Sequence, residues 1–589
     1  MLNWIAHLDA LQLAGSALVG ATDDATVAGL IAARTRARCF PLTSAIGAAE
    51  AKWGSPGFSQ MGRTKSKLLR TLLTMRATVL FADADVAFLR NPLPYIQTQI
   101  ALGADVLFHT DGFGSSPFAK LHGDSALEQP SFGWGPELNT GLFLATPKAL
   151  KLSEEWCEVL KSDAAFANWK NDQQTLNELM RQGVRILPPS DAKSTNLIDA
   201  FNGRLKLGLL PSHLFPSGHV YFIQRQLRSI PGTAPYAIHL TFQNCDQSGK
   251  RHRMREARLW MVDPPSYYHP PNGLLSYTPD LPPELTSQFN STSALPQMRN
   301  LHGSDAVLAS HFALINHQLL QVRTALALAL VLNRTLVLPR FLCGLETVTN
   351  FAHSGVRCRG SKGCATILPY YCPADHVLRM HYIAGVMPQV PQVPIRILEH
   401  SSLRNEASPS HDPNKVLLVD VVGGAAGGAV ARPCAHCNGD EGAYLTQGAG
   451  GGPRVKAARE TVAATAISTA RQAGARTLQL PAGVMSEDEV KAKLGVHTAT
   501  TTGLIHISSL RPHGGGLNLK LDAFFSDRRR AQAFTETVKP LGGGWCCVEA
   551  ERRGAFGHYW YDALFDQPHT DRFNRRWGSE RPWVPTPGP

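Results

Sequence analysis

The segment that most constrains this chain is a short apolar run that ends in two aspartates. Thr64–Met75 carries leucines at helical spacing, and Thr78–Ala82 (TVLFA) then predicts a buried strand that ends at Asp83-Ala84-Asp85. Helical and strand patterns alternate in this way over residues 1–265, which indicates an α/β domain. The other predicted elements are strands at Asp105–His109, Gly141–Ala145, Arg185–Leu187, Leu205–Leu210 and Tyr236–Phe242 and helices at Pro147–Leu160 and Gln173–Arg181.

Composition excludes a disordered chain. Hydrophobic residues make up 43% and charged residues 18% of the 589 residues, which is enough apolar material for packed cores. Lysine and arginine (58) exceed aspartate and glutamate (46) by 12, a charge that suits nucleic acid, an anionic membrane surface or a phosphorylated substrate. The apolar segments at 10–22 and 324–333 are shorter than the ~20 residues of a membrane span, and the N-terminus lacks an ordinary signal peptide. Taken literally, these features predict a soluble cytosolic protein.

Asp83 and Asp85 are the first candidate site residues. Parallel sheets place ligands at the carboxyl ends of their strands. Two carboxylates there offer the hard oxygen ligands that Mg²⁺ or Mn²⁺ accepts when the ion binds a diphosphate. Solvated turn residues are the alternative. A haloacid-dehalogenase phosphatase also has this motif after a strand, but with Thr or Val two positions later, where this chain has Ala87.

Two further segments carry polar groups that suit a phosphorylated sugar. Residues 62–65 (GRTK) predict a helix start at which Arg63 and Lys65 hold phosphate, with a solvated basic turn as the alternative. Residues 171–174 (NDQQ) open a helix and can direct Asp172 and Gln173 toward a sugar, or can serve only to cap the helix.

A histidine and a basic turn complete the candidates. His239 ends a predicted strand, and residues 249–253 (GKRHR) follow it with Lys250 and Arg251. Together they predict a third metal ligand and cations for a leaving diphosphate. The alternatives are a core histidine and a nuclear-localisation or nucleic-acid patch.

The rest of the chain predicts a second α/β domain. Residues 264–298 are rich in Pro, Ser and Tyr and indicate a linker, after which Phe312–Leu332 predicts a long helix leading into a strand at Thr335–Leu338. Residues at about 401–500 are dominated by Gly and Ala and predict a flexible insertion. Within it we expect a helix at Ala457–Arg471 and a capping box formed by Ser486 and Glu489.

The cysteines indicate an oxidising compartment. Eight of the 11 cysteines lie after residue 340, which predicts disulfides in a lumenal or secreted region without fixing their connectivity. Free cysteines are an alternative. Cys434-Ala-His-Cys437 offers half of a zinc site, but no second such pair follows at zinc-finger spacing.

These segments resemble one family. The strings FADADVAFLRNPLPYI, LNTGLFLATP and YAIHLTFQ…GKRHRMREARLWMVDPPSYY, with SHFALINHQLLQVRTALALALVLNRTLVLPRFLC, CPADHV, HISSL and WCCVE…GHYWYD, are similar to plant and green-algal extensin arabinosyltransferases of glycosyltransferase family 77. The resemblance implies a GT-A nucleotide-diphospho-sugar transferase domain at 1–263, the linker at 264–298 and a Rossmann-like domain at 299–589. It implies a retaining enzyme of the Golgi lumen that transfers L-arabinofuranose from UDP-arabinofuranose to arabinose on hydroxyproline of cell-wall glycoproteins.

The resemblance also implies roles for the candidate residues. In this family Asp83 and Asp85 hold Mn²⁺ (or Mg²⁺) against the donor diphosphate. By similarity to related retaining enzymes, His239 is a third ligand. The other implied contacts are Lys250, Arg251 and Arg63 to the diphosphate, Lys65 to the nucleotide, and Asp172 and Gln173 to the transferred sugar. Retention requires either a carboxylate nucleophile, for which Asp172 is the candidate, or same-face attack with the diphosphate as base.

Two departures from the family keep alternatives open. Family members carry an N-terminal membrane anchor and a first strand ahead of the helix that begins here at Met1, and we expect this chain to lack both. The Gly/Ala-rich segment has no counterpart in the family pattern. The alternative functions are a galactosyl- or xylosyltransferase of the same fold and an inactive carbohydrate-binding relative. A nucleic-acid partner is not expected, nor is membrane contact other than through the missing anchor.

Overall fold

The chain forms two compact units, one built mainly from Met1–Phe242 and the other mainly from the chain after Gln243. The predicted domain limits at 263 and 298 stay a prediction. A computed structural model describes residues 1–42, 56–110, 138–161, 171–186, 197–212, 214–224, 234–287, 305–344, 370–384, 394–422, 444–447, 453–456, 462–510, 517–518, 524–549, 556–561, 575–578 and 584–585.

The first unit is a mixed α/β structure, as predicted. Its helices are α1 (Leu2–Ala10), α2 (Asp24–Ala32), α3 (Pro56–Thr74), α4 (Leu93–Ala101), α5 (Leu150–Lys161) and α6 (Asp172–Met180), with shorter helical turns at Ala14–Ser16, Pro147–Ala149 and Val220–Gln224. Its strands are β1 (Leu18–Ala21), β2 (Arg38–Pro41), β3 (Val79–Ala82), β4 (Val86–Phe88), β5 (Val106–Thr110), β6 (Leu138–Ala145), β7 (Arg185–Ile186), β8 (Leu197–Ala200), β9 (Leu205–Leu209) and β10 (Ala237–His239).

The central sheet of this unit has the strand order β3-β6-β5-β9-β8-β7. Only β5 and β9 pair in parallel, and the other neighbours are antiparallel. The strand predicted at the two aspartates is β3, and the predictions of β5, β6 and β9 are also confirmed. The strands predicted at Arg185–Leu187 and Tyr236–Phe242 are β7 and β10. The unit also has two smaller ladders, the parallel pair β1–β2 and the antiparallel pair β4–β10, of which β1, β2 and β4 were not predicted.

Aromatic packing fixes the part of the sheet where β3 ends. All eight residues of β6 are buried, because β3 and β5 flank it and helices cover the sheet. Phe143 of β6 stacks on Phe81 of β3 (5.3 Å between centroids) and on Phe108 of β5 (5.0 Å). The fully buried Trp156 of α5 meets Phe143 edge-on. These contacts therefore hold β3, β6 and β5 in one rigid layer, and Asp83 follows directly after β3.

The second unit is built on a parallel sheet. Its longer strands are β11 (Leu274–Tyr277), β12 (Thr335–Val337), β15 (Ile397–Leu398), β16 (Val416–Val422), β19 (Arg476–Pro481) and β21 (Leu504–Ile507), in the order β15-β12-β11-β21-β16-β19. Every neighbouring pair is parallel. The remaining strands of this unit are β13 (Phe341–Cys343), β14 (Tyr370–Cys372), β20 (Gly483–Val484), β22 (Leu517–Asn518), β23 (Gly544–Glu549), β24 (Phe556–Trp560), β25 (Arg575–Gly578) and β26 (Val584–Pro585). Two further strands, β17 (Tyr444–Gln447) and β18 (Pro453–Lys456), pair with each other, and residues 445–455 group with the first unit.

The helices of the second unit are α7 (Asp246–Glu256), α8 (Pro265–Tyr268), α9 (Pro283–Thr286), α10 (Asp305–Val331), α11 (Met380–Ile383), α12 (Val462–Gln472), α13 (Glu487–Leu494) and α14 (Arg528–Val538), with 3-10 turns at Ala374–His376, His400–Arg404, Pro409–His411, Pro413–Lys415 and Lys539–Leu541. The predicted long helix is α10, and the predicted capping box of Ser486 and Glu489 is present at α13. Part of α10, Ser310–Val331, is long and apolar enough to span a membrane, but most of it is buried inside the unit.

Two segments predicted as irregular contribute central strands. The Pro-rich stretch 264–298 contains β11, which lies in the middle of the sheet between β12 and β21. The Gly/Ala-rich stretch at 401–500 contributes β16, α12, β19 and α13, and residues Val416–Val419 are buried. Composition averaged over the whole stretch concealed these short apolar runs. The strands β11, β16 and β19 from these two segments belong to the parallel sheet of the second unit.

One disulfide confirms the interpretation of the cysteine cluster. Cys343 of β13 and Cys372 of β14 are bonded, with Cα atoms 5.7 Å apart, and they join two paired antiparallel strands. Cys39, Cys157 and Cys245 are free. Cys434 and Cys437, the zinc alternative, lie outside the described residues. A disulfide of this kind persists in an oxidising compartment.

We expect the double variant Cys343→Ser/Cys372→Ser to lose about 3–4 kcal/mol of unfolding free energy, because the bond closes a long loop in the unfolded chain. Denaturant unfolding with and without a thiol reductant measures this. The reductant should lower the midpoint of the wild type and leave that of the double variant unchanged. Cys39→Ser is the control. A wild type insensitive to reductant would contradict the prediction.

Candidate active site

Two carboxylates and an imidazole converge where β3 ends. Asp83 follows β3, Asp85 precedes β4, and His239 is the last residue of β10. The antiparallel pairing of β4 with β10 places His239 opposite Val86, next to Asp85. One ligand atom from each of the three residues lies within 4.8 Å of the others, and His239 Nε2 is 3.5 Å from Asp85 Oδ1. The sequence thus correctly placed all three residues together.

Backbone hydrogen bonds at the ends of β3 and β4 position the Asp83 and Asp85 side chains. The amide of Val86 donates to the carbonyl oxygen of Asp83 (3.0 Å), which closes a tight turn between β3 and β4. On the other side, the Asp83 amide donates to the Gly141 carbonyl oxygen (2.7 Å). A Cβ at Gly141 would lie 2.2 Å from His239 Cε1 and 2.9 Å from Asp83 Oδ2, so the absence of a side chain here makes room for the cluster.

A bulge in β6 brings Gly141 and Thr140 to the site. The β5–β6 register is regular through Phe108 and Phe143, then shifts so that His109 pairs with Asn139. The residues between Asn139 and Phe143 are therefore extra to the ladder with β5. Such irregularities re-aim side chains and occur often beside active sites. Thr140 and Gly141 were not predicted as site residues, although both belong to the LNTG string at the start of β6.

Lys65 ties the cluster to two helices. Its ammonium lies 3.0 Å from Asp83 Oδ1 and 3.6 Å from Asp172 Oδ2, and it donates to the Thr140 carbonyl oxygen (3.2 Å). Burial alone would lower the pKa of Lys65, but the charges of Asp83 and Asp172 outweigh burial and raise that pKa. Lys65 is therefore a permanent cation beside the carboxylates.

Asp172 and Gln173 face the same bulge. Asp172 is buried and accepts a hydrogen bond from the Thr140 hydroxyl (3.0 Å), while Gln173 Oε1 accepts one from the Thr140 amide (3.3 Å). Capping of α6 is left to Asn171, whose side chain accepts from the Gln174 amide (2.8 Å) in a capping box. The capping alternative is therefore confirmed for Asn171, and the role of Asp172 and Gln173 at a sugar stays a prediction.

The sequence is similar to those of known proteins. Residues 13–254 match the family model described as nucleotide-diphospho-sugar transferase. The arabinosyltransferase XEG113 of Arabidopsis thaliana is 32% identical over 575 residues, which are 96% of this chain and 74% of that protein. The chain belongs to the extensin arabinosyltransferase family. The UDP-D-xylose:L-fucose alpha-1,3-D-xylosyltransferase 3 of the same plant is 23% identical over 214 residues, 36% of this chain and 50% of that protein.

The transferase domain found by this comparison contains the whole cluster. The chain is therefore a glycosyltransferase that uses a nucleotide-sugar donor. The donor set of two carboxylates and one imidazole fits Mn²⁺, which accepts both oxygen and nitrogen ligands. The room left by Gly141 beside those groups supports the same assignment.

The prediction of a helix start at Arg63 and Lys65 is wrong. Helix α3 begins at Pro56, so residues 62–65 lie within the helix and their amides bond along it. Lys65 acts through its side chain instead. Arg63 is two positions away, a spacing that turns the two side chains of a helix to different faces. Lys65 reaches the carboxylates of Asp83 and Asp172, and the role of Arg63 at the diphosphate stays a prediction.

The basic run at 249–253 is helical rather than a turn, because it forms part of α7 in the second unit. Two of its charges are paired inside that unit: Arg253 lies 2.7 Å from Asp375, and His252 lies 3.6 Å from Glu256. The guanidinium of Arg251 stacks over Trp260 at 5.2 Å. The role of Lys250 and Arg251 at the donor diphosphate stays a prediction.

A second histidine lies behind the cluster and was missed. The ring of His109, near the end of β5, meets the His239 ring edge-on at 5.4 Å. Complete burial is the main cause that holds the pKa of His109 well below its ordinary value, and the neighbouring His239 contributes. His109 is thus a neutral packing partner for His239. Its position at the end of an apolar strand, VLFHT, was the available signal.

We expect Gly141→Ala to weaken Mn²⁺ binding at least tenfold, because the new methyl group displaces His239 and Asp83. Titration of the ion, followed by the loss of its electron paramagnetic resonance signal on binding, measures the affinity. Gly208→Ala is the matched control: it also adds a methyl group to a buried strand of the same sheet, but against Leu107. The control should lose about 1–3 kcal/mol of stability and keep its affinity. Equal metal affinities in both variants would refute the assignment.

Proposed function

We propose that this chain transfers L-arabinofuranose from UDP-arabinofuranose to arabinose on hydroxyproline of extensin-type glycoproteins, with retention of configuration, in the Golgi lumen. The observation that carries the proposal is the Asp83–Asp85–His239 cluster beside Lys65. The named activity of the 32% identical relative supports arabinose as the sugar. The disulfide Cys343–Cys372 supports a lumenal location.

In this proposal the donor diphosphate binds at the end of β3. Asp83, Asp85 and His239 would hold Mn²⁺ or Mg²⁺, and a bound ion would supply positive charge that makes the diphosphate a better leaving group. Lys65, already cationic and held by Asp83 and Asp172, adds a positive charge fixed in advance where negative charge develops. Gln173, which lies beside the β6 bulge, orients the transferred sugar.

The surroundings of Asp172 favour same-face attack over a carboxylate nucleophile. Its Oδ2 faces both the Lys65 ammonium and the Thr140 hydroxyl, and both contacts lower the nucleophilicity of the oxygen. We therefore assign Asp172 to positioning Lys65. The acceptor hydroxyl bonds to the anomeric carbon as the bond to the diphosphate breaks, and its proton passes to a diphosphate oxygen on the same face.

We expect Asp85→Asn and EDTA each to abolish transfer to a hydroxyproline glycopeptide, because both remove the neutralisation of the leaving group. Product formation from UDP-arabinofuranose, followed by mass spectrometry with and without added Mn²⁺, measures this. Asp199→Asn should keep wild-type activity, because it alters a carboxylate on β8 that pairs with Lys206 of β9, away from the cluster. Transfer that persists in EDTA would contradict the proposed requirement for a divalent metal ion. Transfer from UDP-xylose alone would favour the xylosyl activity named for the second relative, and glycopeptide binding without turnover would favour an inactive protein.

We expect Asp172→Asn to lower kcat by about 10²-fold, because Lys65 loses one of its two anionic partners. The anomeric configuration of the product, read by nuclear magnetic resonance, should remain that of the donor. Added azide should not restore activity. A loss of about 10⁴-fold together with formation of an arabinosyl azide would instead identify Asp172 as the nucleophile.

A further inference from the structure

The parallel sheet of the second unit has a topological switch point. From β11 the chain builds outward through β12 and β15, then returns on the other side to build β16 and β19. The last strand, β21, fills the position between β11 and β16. In open α/β sheets, ligands bind outside the carboxyl ends of the strands at such a reversal. The carboxyl ends of β11, β21 and β16 are therefore where a ligand of this unit is expected.

On one face of the sheet, the side chains of β11, β21 and β16 change from apolar to polar at the same register position. In the paired register, Leu274 lies beside Leu504 and Ser276 beside His506, and Leu418 pairs with His506 from the other side. One step further along the same face lie Thr278, Ser508 and Asp420. All three are partly accessible, whereas Leu274, Leu504 and Leu418 are fully buried core residues. A packed core thus gives way to a row of hydroxyl and carboxylate groups.

A buried histidine organises the hydroxyl groups. His506 Nδ1 lies 2.9 Å from the Ser276 hydroxyl, and His506 Nε2 lies 3.0 Å from the Thr278 hydroxyl. Burial lowers the pKa of His506 to about 4, helped by the charge of Arg471, so the ring is neutral. A neutral imidazole has one N–H and one lone pair, so one hydroxyl accepts a hydrogen bond from the ring and the other donates one to it. The hydroxyl orientations are fixed before any ligand arrives.

The surrounding polar groups are also held in place. Gln321 of α10 accepts from the Asp280 amide (2.7 Å) and donates to its carbonyl oxygen (2.8 Å), which clamps the turn after β11. The Ser508 hydroxyl accepts from the Val421 amide (2.9 Å). Arg471 of α12 binds both oxygens of Asp420, at 2.6 and 2.8 Å. Pre-set groups of this kind lower the entropic cost of binding a flexible ligand.

We propose that this edge, defined by Thr278, Asp280, Asp420 and Ser508, is a second binding site and that it binds a neutral saccharide. Two of its four groups are carboxylates. The guanidinium of Arg471 is already paired with Asp420, and His317 Nε2 lies 3.8 Å from Asp280 Oδ2. A phosphate or diphosphate would be repelled here. A sugar offers hydroxyl groups that donate to carboxylates and exchange hydrogen bonds with Ser and Thr. Naming the arabinosylated acceptor as this saccharide rests on the proposed function.

The test measures binding by the full chain without turnover. The probe is a hydroxyproline glycopeptide that carries arabinose, followed by isothermal titration calorimetry, with the sugar-free peptide as its control ligand. We expect Asp420→Asn and Ser508→Ala each to weaken glycopeptide binding at least fivefold and their combination at least tenfold. Thr477→Val, which changes an exposed residue near the other end of β19, should bind like the wild type. Melting temperatures verify that each variant folds.

Binding of UDP with Mn²⁺ is measured in the same proteins and should be unchanged by the three variants. If UDP fails to bind the wild type while the edge variants still lose the glycopeptide, the proposed donor chemistry fails and the saccharide site stands. Glycopeptide affinity equal in all folded variants overturns the saccharide site. Inorganic pyrophosphate that binds the wild type and is lost in the edge variants overturns its ligand class.

Discussion

The arrangement of the carboxylate cluster depends on one partly buried cation, Lys65. Asp83, Asp85 and Asp172 bring three carboxylates into a small, largely enclosed volume, where uncompensated negative charges would repel each other strongly. Lys65 offsets two of them directly, and it does so from α3 while Asp172 is supplied by α6. A Cβ at Gly62 would lie 2.7 Å from the Asp172 Cβ, so close contact of these helices is built into the same residues. The contact between α3 and α6 therefore determines both the packing of these helices and the compensation of charge at the carboxylates.

The sequence predicted the parts of the site that local patterns encode. Asp83 and Asp85 follow a short apolar strand, and His239 ends another, so the rule for strand ends found all three. Thr140, Gly141 and His109 were missed because their importance comes from the register shift between β5 and β6, which depends on pairing across the sheet. The basic run at 249–253 was predicted as a turn, but it forms part of α7. Two of its side chains, Arg253 and His252, pair with Asp375 and Glu256, which composition alone does not reveal.

The fold shows the same division. Strands flanked by clear helices, such as β3, β5 and β12, were predicted nearly to the residue. β11 lies among prolines and β16 lies in a Gly/Ala-rich stretch, so neither was predicted from the sequence. In the structure, each of these strands is completed by parallel neighbours on both sides. A short strand contributes little signal of its own. Its place in a sheet is decided by the rest of the sheet.

The bulge in β6 sets two demands against each other. A regular β6 would complete its ladder of hydrogen bonds with β5, a gain in stability. The irregular stretch between Asn139 and Phe143 forgoes that gain and places Thr140 and Gly141 beside Lys65 and the Asp83–Asp85–His239 cluster. Stability and site geometry therefore compete within a single strand. Substitutions selected for thermal stability alone would be expected to make β6 regular and to move Thr140 and Gly141 away from the cluster.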